Sequence, residues 1–217
     1  GAMTASLLGL PAASLLLSRT KQGISVFYAL VVLVAGGAAL SAAHVLLHGN
    51  FTTVSLPIGL PGTGARLRFD ALASAFALIA NLSIAITSLY AIGYGRHEET
   101  PLRVLPFYAL FILGMNLVLV ADDAFTFLVA WEFMSLSSWA LVVVRHREAE
   151  SRFAASFYLV MALIGALALI FAFGVLAAGG DYLFDTMRAH KLGDGAAAVV
   201  LFLTLAGAGS KSGLVPL

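Results

Sequence analysis

The sequence predicts an all-α integral membrane protein of about seven transmembrane helices, with a short β-hairpin between the second and third. Three observations carry that expectation. Mean hydropathy is +1.00, with 61% hydrophobic and 11% charged residues, a balance outside the range of ordinary soluble domains. The apolar residues fall in runs long enough to cross a hydrocarbon core at roughly 1.5 Å of rise per residue. The charge is confined to short segments between those runs.

The same composition excludes several function classes. A formal net charge of +1 and a pI near 8.3 leave no basic excess of the kind that holds nucleic acid. The chain has no cysteine, so it offers neither a disulfide framework nor a thiolate site for zinc or iron–sulfur clusters. No cofactor is expected on this chain, and an electron-transfer centre would have to sit on another.

Taken in order, Gly1 and Ala2 before Met3 resemble a cloning remnant. Met3 to Leu17 is a short apolar segment containing Pro11 and followed by Arg19 and Lys21. Its charges come after the apolar run, the reverse of a signal peptide, so it reads as a first helix with an outside N-terminus. Ser25 to Leu47 is a second span with a small-residue face at Gly36, Gly37 and Ser41. His44 and His48 stand four apart near its end, without the further ligand a metal site needs.

From Gly49 to Arg68 the pattern changes to FTTVSL and ARLRF around PIGLPGTG, which reads as a surface hairpin over 49–68. Asp70 opens a third span to about Ile92, where an acid favours a helix N-terminus. The polar loop GYGRHEETPLR leads to a fourth span, Leu102 to Val120, and Asp122 and Asp123 form a turn into a fifth. After RHREAESR come a sixth span, Phe153 to Ala178, a polar loop from Gly179 to Gly195, and a last apolar segment. Loops after spans 1, 3 and 5 carry Arg19, Lys21, Arg96, Arg103, Arg145, Arg147 and Arg152, against Arg66, Arg68, Arg188 and Lys191 after spans 2, 4 and 6. That bias places the N-terminus outside.

The fifth span, Ala124 to Val144, holds one carboxylate, Glu132, about midway along it. An acid at that depth costs a few kcal/mol and is normally turned to a protein interior or a water-filled path. On a helix, Ser135 and Trp139 share its side. A buried acid that only fastens two helices would satisfy the same pattern. The last segment, AAAVVLFLTLAGAGSKSGLVPL, places Lys211 among Gly207, Gly209, Gly213 and Pro216. It lacks the glycines of a phosphate loop at Leu205 and Ser210. Pro216 cannot donate to the carbonyl of Ser212, so a broken helix with freed carbonyls beside an intramembrane lysine is expected. A lysine snorkelling from a helix end is the alternative.

Together, AWEFMSLSSWALV around Glu132 and LAGAGSKSGLVPL around Lys211 resemble the antiporter-like subunits of complex I and of membrane-bound hydrogenases, in particular hydrogenase-4 component B and formate hydrogenlyase subunit 3. The stretches that carry the likeness are Trp131 to Ser138 and Lys211 to Leu217. Family members have about fourteen helices in two inverted repeats, so the resemblance implies the N-terminal half of an antiporter-like fold that stops within the seventh helix. It implies an N-terminal region, 1–95, with helices 1–3 and the hairpin, and a region 96–217 forming the first part of a proton-conducting half-channel.

By that resemblance, Glu132 is the proton-handling acid and Lys211 the lysine of the broken helix, with Ser135, Asp122 and Asp123 as accessory polar groups. Moving Lys211 would alter the proton affinity of Glu132. Driving one charge against 100 mV takes about 2.3 kcal/mol, roughly 1.7 pKa units, within reach of one buried pair. The implied function is a proton-translocating subunit of a bacterial inner-membrane redox complex, with other membrane subunits and an iron–sulfur/nickel or NADH-oxidising arm as partners. Catalysis would lie on those partners. A subunit of a multi-subunit cation/proton antiporter, or a structural piece without transport, are the alternatives.

Overall fold

The computed structural model describes residues 2–60, 64–98 and 100–213. Ten elements follow one another: α1 (Ala2–Leu17), α2 (Lys21–His48), β1 (Thr52–Leu60), β2 (Gly64–Phe69), α3 (Ala71–Tyr94), α4 (Pro101–Val120), α5 (Ala124–Val142), α6 (Ala149–Ala177), α7 (Phe184–Ala189) and α8 (Asp194–Ser212). Six of the helices among the described residues are long and apolar enough to cross a membrane, and α1 is a shorter apolar helix. The strands pair in a two-stranded sheet between α2 and α3, as the turn-rich segment predicts.

Local chemistry explains the boundaries. Thr20 caps α2 through a bond to its side chain from the Gly23 amide at 3.0 Å. Gly49 closes the same helix with φ 68, the left-handed conformation that costs a glycine least. Asp70 accepts from the Ala73 amide at 2.9 Å, which makes it the N-cap of α3 expected from its position. One element differs from the sequence expectation: the polar stretch 179–195 contains α7. Six residues are too few for an apolar period to register.

The chain divides into two compact units, one of residues 1–53 and 68–120, the other of 54–67 and 121–217. In the first, α2 packs along α3, and α1 along α2 and α4. Asn81 and Asn116 fasten α3 to α4 by a reciprocal amide pair at 2.7 and 3.3 Å. Each side-chain amide also donates to a carbonyl one turn back. Buried polar groups are tolerated when satisfied in this way. Ser88 and Tyr108 join the same helices by a second bond at 2.8 Å. At the far end of α2, His44 and His48 stack with centroids 4.1 Å apart, and His48 Nδ1 lies 2.9 Å from the His44 carbonyl.

In the second unit α6 packs against both α5 and α8. Gly165 of α6 and Gly207 of α8 let these two helices approach closely. A Cβ on Gly207 would lie 2.6 Å from Leu169 Cγ and 3.0 Å from the Gly165 carbonyl oxygen. Small residues at such a crossing are what helix association in lipid requires. Phe127, Phe173 and Phe184 form an aromatic cluster joining α5, α6 and α7, with centroids 5.7 to 6.1 Å apart.

Candidate functional site

The site is built on α5, α6 and α8. α5 begins at Asp123, whose carboxylate accepts from the Thr126 amide at 2.7 Å and caps the helix. Its other oxygen accepts from the Arg66 amide of β2 at 2.8 Å. Asp122 pairs with the Arg66 guanidinium, Nε to Oδ2 3.0 Å, at a side chain only 4% exposed. Its backbone amide donates to the Arg66 carbonyl, and its own carbonyl accepts from Phe184. The hairpin strand and the start of α7 thereby flank the first residues of α5. Arg66 also lies 3.8 Å from Asp185 through Nη2.

Glu132 is nine residues beyond Asp123, roughly 14 Å along the helix. Its Oε1 is enclosed by protein and has no hydrogen-bond partner. The neighbouring Trp131 indole nitrogen is likewise enclosed and unpartnered, and its ring stacks on Phe127 at 5.5 Å. Ser135 is buried, and its hydroxyl donates to the Trp131 carbonyl at 2.7 Å, so its hydrogen is committed within the helix. The two aspartates and Ser135 are thus engaged in building α5, while the Oε1 of Glu132 is left over.

Lys211 stands in the last turn of α8. That helix runs unbroken from Asp194 through Lys211 to Ser212 and closes at Gly213, φ 86, whose amide bonds the Gly209 carbonyl. The expected break at Pro216 lies outside the described residues. The C-terminal end of a helix favours a cation by about 0.3 to 1 kcal/mol. The Lys211 ammonium donates to the Tyr158 hydroxyl of α6 at 2.5 Å. It lies 4.6 Å from the centroid of that ring and 6.0 Å from the Trp131 ring. Among the described residues no direct ion pair joins Glu132 to Lys211, although the two interact electrostatically.

Depth brings Tyr158 and Lys211 to the level of Glu132. Glu132 precedes the end of α5 by ten residues and Tyr158 follows the start of α6 by nine, roughly 14 to 15 Å from the connection in each case. α8 runs antiparallel to α6 and reaches that level at its last turn. Sequence reading missed Tyr158 and the ring of Trp131. The available signal was a phenol hydroxyl inside the apolar run 153–178, where aromatic residues without a polar atom otherwise dominate.

The site thus holds an enclosed carboxylate on α5 and an ammonium on α8, two helices that both pack against α6. Residues 121–217, which contain all of them, match the family described as NADH:quinone oxidoreductase/Mrp antiporter, TM. That segment belongs to this family. Over 154 residues the chain is 35% identical to hydrogenase-4 component B of Escherichia coli (strain K12), covering 70% of this chain and 23% of that protein. It is 30% identical over 197 residues to NADH-quinone oxidoreductase subunit N of Desulfovibrio desulfuricans, covering 85% and 37%. The chain therefore spans less than two fifths of either relative's length. The fold is shared with the Mrp complex from Dietzia sp. DQ12-45-1b, with a TM-score of 0.79 at 24% identity over 97% of this chain and 23% of that one. With six helices among the described residues long and apolar enough to cross a membrane, and with this shared fold, the chain is a multi-pass membrane protein of antiporter-like fold.

Proposed function

We propose that the chain is part of a proton-translocating subunit in a membrane-bound hydrogenase or complex I-like redox complex. Glu132 and Lys211 carry the proton relay, 96–217 belongs to the first half-channel, and the redox chemistry lies on partner subunits of an iron–sulfur/nickel or NADH-oxidising arm. The observation that carries the reading is the unpartnered Glu132 Oε1, with the Lys211 ammonium 6.0 Å from the ring of the adjacent Trp131, within the segment that matches the family. A group fastening two helices would be expected to satisfy its hydrogen-bonding capacity, whereas an acid that takes up and releases protons needs an open position for water.

The test is proton flux in proteoliposomes holding the complete complex, driven by its redox reaction. Acidification coupled to turnover is the expected result. Flux that needs sodium would move the assignment to cation/proton antiport, and turnover without any ion movement would make the segment structural.

We further infer that the protein resides in a bacterial inner membrane with the N-terminus outside and the 145–152 loop cytoplasmic, following the arginine distribution. With no cysteine in this chain, a cysteine placed at Glu148 is expected to react with an impermeant thiol reagent only from the cytoplasmic side. Reaction only from the outside would reverse the topology.

A further inference from the structure

Tyr158 touches Lys211 directly, and nothing above assigns it a role. It comes from α6, which packs against both helices that carry the relay. Its hydroxyl accepts a charge-assisted bond from the Lys211 ammonium at 2.5 Å. The ring face adds a second attraction, with Nζ 4.6 Å from its centroid, inside the distance at which an aromatic quadrupole holds a cation. The carboxylate that would compete for the same ammonium is enclosed and has an oxygen without a partner. In this arrangement Lys211 is held by the phenol while Glu132 waits.

We propose that Tyr158 is a positioning residue of the proton relay. It docks Lys211 away from Glu132, so that the ammonium has two alternative partners and its position sets whether the acid is compensated. This rests on the reading of Glu132 and Lys211 as the relay. A phenol suits the task because it accepts from the ammonium and keeps its own hydrogen to donate. A hydroxyl oxygen also holds an ammonium less firmly than a carboxylate would. Gly165 and Gly207 serve the same arrangement, since they let α8 lie close against α6 one turn before Lys211.

Tyr158→Phe separates the two attractions, because it keeps the ring face and removes the oxygen. The complete complex would be labelled with 15N-lysine, and the Lys211 side-chain resonance identified as the signal lost in Lys211→Met. In Tyr158→Phe that resonance is expected to shift. The pH profile of proton flux should be displaced, and flux at fixed pH should fall about tenfold, the weight of one charged hydrogen bond. Assembly and redox turnover should stay at the wild-type level. An unchanged Lys211 resonance, or an unchanged pH profile, overturns the role of Tyr158. The Lys211→Met flux separates the two claims: if it is blocked while Tyr158→Phe behaves as wild type, only the positioning role fails. If Lys211→Met transports normally, the relay reading itself falls.

Discussion

Glu132→Gln is expected to lower proton translocation by the complete complex about a hundredfold or more while leaving the subunit assembled. The amide keeps the shape of the side chain and its place next to Trp131, and it removes the only titratable group on the membrane-spanning part of α5. Losing a positioned proton carrier typically costs two to four orders of magnitude. Packing should suffer little. Glu132 has an oxygen without a hydrogen bond, so the substitution breaks no bond at that atom. Flux measured with a pH-sensitive dye, normalised to redox turnover and to subunit content, checks this. Wild-type stoichiometry in the variant would reduce Glu132 to a structural side chain.

Gly207→Val should damage the protein as a whole, for a different reason. Its Cβ would fall 3.0 Å from the Gly165 carbonyl oxygen, a backbone atom that cannot rotate away, and 2.6 Å from Leu169 Cγ. α8 would have to move off α6, and overpacking of this kind costs about 1 to 3 kcal/mol. Lys211 follows Gly207 by one helical turn, so any such movement also carries the ammonium away from Tyr158. Lower yield of assembled complex and loss of flux in the fraction that assembles are expected together. Gly36→Ala provides the contrast, since a Cβ there meets nothing within 4 Å. Equal defects in the two variants would show that the crossing at Gly207 has no special weight.

The parts of this structure that were legible in the sequence are those set by neighbouring residues. Apolar runs of spanning length mark the long helices, the glycine- and proline-rich stretch around 57–64 marks the hairpin, and Asp70 marks the start of α3 through its capping chemistry. Glu132 and Lys211 stood out because charge is rare in such runs. What was not legible depends on contacts between distant positions. Arg66 and Asp122 are 56 residues apart, and neither the hairpin pattern nor the helix pattern signals that they pair at 3.0 Å. The two aspartates read as a simple turn, yet one caps α5 and both are held by β2. Tyr158 looks like any aromatic residue of an apolar helix until α8 brings an ammonium to it. The site is therefore half local and half tertiary: its charges announce themselves, and the phenol that holds one of them does not.

The proposed relay requires that Glu132 and Lys211 act as one site. It is tested most directly by a double-mutant cycle in the complete complex, with Glu132→Gln, Lys211→Met and the two combined, scored for assembly and for proton flux. Removing one charge leaves the other uncompensated in the interior, whereas removing both leaves neither. Because Glu132→Gln alone leaves the subunit assembled, the double variant is expected to assemble better than Lys211→Met, with flux lost in all three. Strictly additive assembly defects, or flux retained in any of the three, would contradict a coupled relay and leave two independent polar anchors.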